Sequence, residues 1–455
     1  MIKDSRLDSE NLKNYRPISN LPFLSKILER VLYIQLEHYI EQQHLYANFQ
    51  SAYRKNNSCE TALLRVMNDI QQEMFNKNHV ALLLLDSSSA FDTVDHRILL
   101  RKLKYEFYIG NKSLNMIKSF LENRSFSVII NESSSEPRPL HYGVPQGSLL
   151  GPLMYSLYTK ELEEIVLDSG MRINSYADDV QIFISFSSCH ANDTNSKMTN
   201  CLKRIKEWMD LNYLKLNPEK TQLKLFKPNN EILPFQINYL GQTVDPINEI
   251  NILGVRLIND LELTAFISKK VRSCNMQLRN LNHIRNSIPF NSRKTLIINT
   301  IISQLDYCNS ILACVYPTAL RPLELILNRA IRFIFGINRF THITPYMKKI
   351  HILPIRFRIL FKLCLTAYKI FYREAPDHLI MEFPKFEKNP DLNLREGSGR
   401  DKFMFKIEVP KHKKESIFYK IKKEWNSLPI SLRKINNIPR FKKDLKTYLF
   451  RKAFD

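Results

Sequence analysis

The stretch NSYADDVQIFI, residues 174–184, sets Asp178 beside Asp179 among apolar residues that alternate like a strand, with no Lys or Arg inside it. One reading is an Asp-rich hairpin turn, solvated and idle, because Asp is a common turn residue. The other is chemical. At a tight turn both carboxylates can face one pocket, where they repel each other unless a cation is bound. A hard divalent ion such as Mg²⁺ relieves that repulsion, taking one or two carboxylates and completing its shell with phosphates and water. A further acid favours the chemical reading: VALLLLD (80–86) is a short apolar run ending in Asp86, as expected of a buried strand that delivers a carboxylate at its end. Two neighbouring strands could bring Asp86 to Asp178, and carboxylates bridging two metals about 3.5–4 Å apart catalyse nucleotidyl transfer. In such a site one metal activates an attacking 3′-hydroxyl while the other holds the triphosphate and the leaving pyrophosphate. GVPQGSLLGPLMYSLY (143–158) supplies a third part. Of only ten glycines, Gly143, Gly147 and Gly151 fall within nine residues, which marks a backbone that something approaches closely. Gln146 stands near the start of the helix that follows, where free N–H groups suit a phosphate or a base-paired nucleotide. Taken alone, the segment is an ordinary helix start.

These residues need particular elements to hold them. Asp86 requires a buried strand over 80–86, and the Asp pair a hairpin near 173–184. Around them the spacing predicts a helix over 113–121, a strand over 125–130, one longer helix over 149–165, a helix near 196–211, and strands near 221–226 and 250–258. The pattern is α+β with local strand pairing rather than regular βαβ winding. Past residue 262 it changes to helices carrying Lys and Arg on their outer faces, over 267–284, 293–305 and 320–335, with Pro354 opening another that ends near Tyr372. Residues 375–416 are charged and rich in turn formers and read as a linker, and a last basic helical piece holds Trp425 and RFKKDLKTYLF (440–450).

Charge follows the same division. Of the formal +22, residues 1–260 hold 29 Lys+Arg against 30 Asp+Glu, whereas residues 261–455 hold 38 against 15, so the two parts carry −1 and +23. Such a field attracts polyanions. Because the excess is confined to one region and interleaved with aromatics, nucleic acid is the expected partner ahead of a merely soluble basic surface. At 455 residues the chain is long enough for two or three domains. Its seven cysteines are odd in number and widely spaced, with no CxxC pair, which excludes a zinc knuckle and a disulfide scaffold. VALLLL falls far short of the roughly 20 apolar residues that span a bilayer, and the polar start is no signal peptide. An intracellular protein with no membrane partner, in the nucleus and/or cytoplasm, is expected.

Seven segments stand in an order that carries a resemblance: NYRPISNLPFLSKILERVL (14–32), FQSAYRKNNSCETAL (49–63), LLDSSSAFDTVDHRILL (84–100), YGVPQGSLLGPLMYSLY (142–158), YADD (176–179), LKLNPEKTQ (214–222) and ILGVRL (252–257). Together they resemble the reverse transcriptase of LINE-type, non-LTR retrotransposons, most of all the jockey-like kind. The closing EWNSLPISLRKINNIPRFKKDLKTYLF (424–450) is similar to the end of those polyproteins. The resemblance implies a right-hand polymerase fold: fingers and palm over 1–260, a helical thumb over 261–374, and a basic C-terminal region over 375–455. It implies RNA-templated DNA synthesis from a 3′-hydroxyl primer, with deoxynucleoside triphosphates and two Mg²⁺ ions, Mn²⁺ being a substitute. The partners so implied are an RNA template, a DNA primer or RNA–DNA duplex, and a separate endonuclease, since such polyproteins normally begin with an endonuclease domain and this sequence starts inside the fingers, as a truncated copy or split gene would. A catalytically inactive, nucleic-acid-binding remnant is the alternative.

Position by position, the resemblance makes Asp86, Asp178 and Asp179 the metal ligands and Tyr176 the first residue of the Tyr-x-Asp-Asp box. Phe91 falls where an aromatic blocks a 2′-hydroxyl, Arg16 where an arginine contacts the incoming triphosphate, and Lys3 where a companion lysine is expected. Gln146 and Gly147 match the loop beneath the templating pair, Lys220 a lysine acting as general acid toward pyrophosphate, and Leu253–Val255 the turn that grips the primer. Two positions depart from the family: Ala52 stands where Gly is usual, which would strain a left-handed backbone, and Ser87 stands where an apolar residue follows the catalytic aspartate.

Overall fold

The computed structural model describes residues 8, 10, 11, 14, 15, 18–88, 91–130, 133–228, 233–239, 241–258, 261–383, 407 and 416–454. The chain divides into two compact units, one of Met1–Lys55, Ala81–Leu225 and Leu233–Pro246, the other of Asn56–Val80, Phe226–Ile232 and Ile247–Asp455. The α+β class expected from the sequence is the class observed.

In chain order, α1 (Phe23–Gln42) and α2 (Cys59–Phe75) precede β1 (His79–Leu85) and the short β2 (Ser87–Ser88). Next come α3 (His96–Tyr105), α4 (Asn111–Leu121) and four two-residue strands, β3 (Ser125–Phe126), β4 (Ile129–Ile130), β5 (Ser133–Ser134) and β6 (Arg138–Pro139). α5 (Leu150–Tyr158) and α6 (Glu161–Asp168) lead to β7 (Arg172–Tyr176), β8 (Asp179–Phe186) and α7 (Ala191–Leu211), followed by β9 (Lys215–Leu216), β10 (Gln222–Phe226), β11 (Ile237–Tyr239) and β12 (Gln242–Val244). The central sheet has the order β10-β1-β8-β7. β1 is apolar almost throughout because it lies inside the sheet with both faces covered. α5 is buried nearly all round, which its uniformly apolar sequence requires. Asp95 caps α3, its carboxylate accepting from the N–H groups of Arg97 and Ile98 at 2.8 and 3.0 Å.

Two expectations fail here. The single helix over 149–165 is two helices, separated at Thr159–Lys160, and Glu163 of the second is tied to a distant segment by accepting from the N–H groups of Asn48 and Phe49 at 2.9 and 2.8 Å. The strand over 125–130 is split between β3, which pairs with β6, and β4, which pairs with β5. All four strands are exposed, so no buried face holds one continuous register.

The second unit is mostly helical among the described residues and includes the hairpin of β13 (Ile250–Ile252) and β14 (Val255–Leu257), where a single strand over 250–258 was expected. Leu253 and Gly254 both take positive φ, 48° and 81°, the conformation of a tight two-residue turn. Its helices are α8 (Thr264–Ile284), α9 (Phe290–Ile297), α10 (Ser303–Asp306), α11 (Arg321–Phe335), α12 (Thr344–Ile350), α13 (Ile355–Phe371), α14 (Asp377–Met381), α15 (Ile417–Ser427), α16 (Ile430–Arg433) and α17 (Ile438–Phe454). The helix expected over 293–305 is interrupted by a π segment at Ile298–Ile302, where the hydroxyls of Thr300 and Ser303 donate to carbonyls four residues back. α2 belongs with this unit: Glu60 accepts from the backbone N–H and hydroxyl of Ser310 at 3.1 and 2.6 Å and from Lys362 Nζ at 3.1 Å.

Of the linker expected over 375–416, residues 384–406 and 408–415 lie outside the described residues, and α14 falls within its start. Beyond it, α15 and α17 do not stand apart. Trp425, fully buried, packs 5.3 Å from Phe371 and 6.0 Å from Phe441, while Tyr368 stacks on Phe441 at 4.3 Å between ring centroids. One aromatic core therefore joins residues on either side of the expected linker. Among the described residues no helix is long and apolar enough to cross a membrane. Trp425→Ala should lower unfolding stability by about 3–5 kcal/mol, the usual effect of emptying a fully buried aromatic site; urea denaturation that finds a loss below about 1 kcal/mol would contradict this packing.

Candidate active site

Asp86 is the first residue past β1, and the chain around it is fixed from the β9 side. Ser87 pairs with Leu216, and the carbonyl of Asp86 accepts from Asn217 N at 2.9 Å. The Asn217 side chain caps the short turn Pro218–Lys220 by accepting from Glu219 N. That turn carries Lys220 back over the acid, so that Lys220 Nζ donates to Asp86 Oδ2 at 2.9 Å. With the lysine side chain 62% exposed, the pair is well solvated and contributes little to stability.

Asp178 and Asp179 sit at the β7–β8 turn. The strands pair from Arg172↔Phe183 to Tyr176↔Asp179, which leaves Ala177 and Asp178 as a two-residue connection with Tyr176 and Asp179 closing it. Ala177 has φ 57°, a left-handed conformation that costs a residue with a Cβ about 1–2 kcal/mol. Gln50 offsets that cost. Its Oε1 accepts from the N–H groups of Ala177 and Ala52 at 3.1 and 3.0 Å, and its Nε2 donates to the Ala177 carbonyl at 3.3 Å. The adjoining backbone pairs as well, Ser175 N donating to Phe49 O and Ser51 N to Ser175 O, both at 2.9 Å. The strain expected at Ala52 is absent: Ala52 is buried without positive φ, and Tyr53 and Asn56 take the left-handed positions instead, at 59° and 65°.

The two acidic segments meet at Tyr155 of α5. Burial pushes its phenol far above the usual range, the charges of Asp178 and Asp86 push the same way, and a hydrogen bond with Ser87 draws it back. Tyr53 is likewise raised, by burial and then by Asp178. A cavity of about 20 Å³, room for one water, is lined by Gln50, Ser87, Tyr155 and Ala177. Phe91 packs on Tyr155 with ring centroids 4.8 Å apart.

The glycine-rich segment backs directly onto the Phe91 loop. Val144 N donates to Phe91 O and Gly143 N to Val94 O, both at 2.8 Å, and a Cβ at Gly143 would lie 2.8 Å from the Asp92 carbonyl oxygen. Only glycine fits there, because φ is +84° as well. Gln146 Nε2 donates to both Asp92 carboxylate oxygens at 2.9 Å. Burial raises the Asp92 carboxyl above its ordinary value, and the Gln146 bond opposes that rise. Gly147 has φ +103°, and the Gln146 carbonyl accepts from Ser19 N at 2.9 Å. The free N–H groups expected at this helix start are partly taken up from within: Leu149 N donates to the buried Glu29 at 2.7 Å and Gly151 N to Ser148 Oγ at 2.9 Å. Arg16 and Lys3 lie outside the described residues.

Gln50, Tyr155 and Glu29 were inside quoted segments but not singled out by sequence. Nothing in their immediate sequence sets them apart, since Gln50 is followed by Ser51, Glu29 by Arg30 and Tyr155 by Ser156. Among the described residues no group of three or more His, Cys, Asp or Glu side chains is gathered as a metal cage. Two carboxylates, Asp86 and Asp178, act on one neighbourhood, and an all-oxygen anionic pair fits a hard divalent cation that takes its remaining ligands from phosphate and water.

Residues 3–257 match the family described as reverse transcriptase (RNA-dependent DNA polymerase). Among curated proteins, the chain is similar to the probable RNA-directed DNA polymerase from transposon BS of Drosophila melanogaster, 27% identical over 73% of this chain and 37% of that protein. It is similar to the RNA-directed DNA polymerase from mobile element jockey of Drosophila melanogaster, 29% identical over 59% of this chain and 29% of that one. The probable RNA-directed DNA polymerase from transposon X-element of the same organism is 27% identical, over 73% and 36%. The chain thus spans about a third of the length of these relatives. Among solved structures it is similar to apo telomerase from Candida tropicalis, at 13% identity and a TM-score of 0.41 over 74% of this chain and 59% of that one.

Gln50→Ala should destabilise the protein by about 1–3 kcal/mol, because it strips a partner from buried backbone groups. Ala177→Gly should stabilise it by up to about 1–2 kcal/mol by relieving the left-handed turn. Thermal unfolding checks both; a stabilising Gln50→Ala or a destabilising Ala177→Gly would overturn the turn-clamp account.

Proposed function

The chain belongs to the reverse transcriptase (RNA-dependent DNA polymerase) family, and from that premise we propose that it is an RNA-directed DNA polymerase extending a 3′-hydroxyl primer on an RNA template. The resemblance to jockey-like elements agrees with relatives drawn from jockey, BS and X-element. In this reading residues 1–260 serve as fingers and palm, 261–374 as thumb and 375–455 as a basic C-terminal region of a right-hand polymerase. The site of action is the nucleus and/or cytoplasm, and a separate endonuclease would supply primer ends.

The observation that carries the proposal is that Ser87, next to Asp86, and Ala177, next to Asp178, line one cavity with Tyr155, whose ring packs against Phe91. Polymerases of this family depend on divalent metal. Asp86, Asp178 and Asp179 would hold two Mg²⁺ ions, or Mn²⁺ in their place, supplying activation of the 3′-hydroxyl and charge stabilisation at the leaving pyrophosphate. The protein's own part is to place and to exclude. Gln50 keeps the Ala177–Asp178 turn closed, so that the Asp178 carboxylate stays directed to one place. Phe91 packs on Tyr155 and its carbonyl accepts from Val144 N, and in this reading its ring would meet a 2′-hydroxyl and reject ribonucleotides. Gln146 and Gly147 would support the templating pair, with the Gln146 amide held by Asp92. Lys220 stands beside Asp86 as the ammonium able to protonate pyrophosphate. Arg16 would meet the triphosphate, and Tyr176 would support the pair of aspartates beside it. The basic excess past residue 260 would hold an RNA–DNA duplex through its phosphates, largely regardless of sequence.

On poly(rA)·oligo(dT) with dTTP and Mg²⁺, the wild-type protein should extend the primer and Asp178→Asn should lower the rate by at least about a hundredfold, while binding the duplex equally. Phe91→Ala should raise the use of rUTP relative to dTTP by about tenfold or more, the loss of one steric discrimination. If wild type extends no better than Asp178→Asn, the inactive, nucleic-acid-binding alternative stands and the enzyme reading falls.

A further inference from the structure

We propose that the helical unit carries a second nucleic-acid site, a pocket that takes a short single-stranded segment by stacking its bases and holding its phosphates. The inference goes beyond the polymerase reading and requires no turnover. The pocket has a volume of about 510 Å³ and lies where α13 and α15 meet the segment Leu312–Leu320. Its size is in the range that accepts small organic groups. Leu312, Leu320, Ile359 and Leu363 form an apolar lining, and Phe357 and Tyr419, both half-buried, add aromatic surface. Tyr316, between the lining residues Val315 and Pro317, is 83% exposed at the rim. A large aromatic left so exposed is an unused stacking surface.

Four cations stand over this apolar floor, Arg356, Lys420, Lys423 and Lys452, against one acid, Glu424, among the lining residues. Lys420 Nζ is spent on the Ala313 carbonyl at 3.0 Å. Arg356, Lys423 and Lys452 are exposed and enter no ion pair among the described residues. Four cations gathered against one acid repel one another on balance, and a polyanion relieves that repulsion. Apolar and aromatic lining together with several cations suits a nucleotide strand, whose flat bases and phosphates need one kind of contact each. A duplex keeps its bases stacked on each other and could offer only phosphates, so the pocket points to a single strand. An acidic peptide or an anionic lipid would satisfy the cations but leave the aromatic surface without a stacking partner.

The test uses the full chain, held with a saturating unlabelled blunt RNA–DNA hairpin, and follows fluorescein-labelled dT8 by anisotropy. Binding of dT8 should persist under the hairpin. An abasic 8-mer of equal charge should bind at least about fivefold more weakly, the lower bound for losing base stacking. Lys423→Glu/Lys452→Glu, at exposed positions, should weaken dT8 at least about tenfold and more than it weakens the hairpin. Tyr419→Ala should do the same, with Tyr419→Phe restoring affinity. Equal binding of dT8 and the abasic strand overturns the stacking pocket. So do equal losses of dT8 and hairpin in the charge-reversed variant, or dT8 fully displaced by the hairpin. If polyglutamate or phosphatidylserine vesicles lose binding in that variant while dT8 does not, the ligand class is wrong. None of these readouts depends on primer extension, so failure here and failure of the polymerase reading are separable.

Discussion

Asp86 and Asp178 bring two negative charges to bear on one buried phenol, and the first unit is organised around tolerating that placement. Carboxylates repel at short range, more strongly where burial lowers the local dielectric. The β7–β8 turn that carries Asp178 is held by contacts from outside it. β1 and β8 are hydrogen-bonded neighbours in the sheet, so the acids at their ends cannot drift apart without breaking the sheet. Gln50 clamps Ala177 on both its N–H and its carbonyl, and Lys220 stands by Asp86 as the nearest compensating charge shown. An ammonium on a long, solvated stem is a replaceable counter-ion, as the proposed binding of phosphates and metal would require.

The same constraint explains why the neighbouring segments are so rigid. Gly143 lets the backbone of one loop lie against Asp92 of another, and Gln146 closes the contact from the side-chain end. Phe91 is thereby fixed from its backbone by Val144 and from its ring by Tyr155. Phe91 is thus braced in two directions, as the steric role proposed for it would require. The second unit answers a different demand. Its surface carries the chain's basic excess, and its interior compensates with a dense aromatic core around Trp425, Tyr368 and Phe441.

What could be read in the sequence was what local pattern determines. VALLLL is apolar throughout because its strand is covered on both faces, and the apolar residues around the Asp pair report a hairpin, although β8 is buried on both faces from Val180 to Phe183. Partners far apart in sequence were not legible. Glu29 reaches Leu149 across 120 residues and Gln50 reaches Ala177 across 127, and nothing in either neighbourhood announces the other. Glu163, in the helix that follows Thr159–Lys160, is tied to Asn48 and Phe49, again a distant contact. Ala52 misled for the converse reason: a glycine preference was read as a demand for positive φ, whereas the structure moves that demand to Tyr53 and Asn56. Residues 375–416 looked like a boundary by composition, yet the helices beyond share a core with α13, because composition reports exposure and not which buried faces meet.

The proposed cation site draws Asp86 and Asp178 from segments far apart in sequence. Mn²⁺ titration followed by electron paramagnetic resonance tests it without reference to catalysis. The account predicts Mn²⁺ binding by the wild-type protein that Asp86→Asn and Asp178→Asn each abolish, and that the two substitutions combined lower no further. Mn²⁺ bound equally by wild type and both single variants, or losses that simply add, would contradict a shared site.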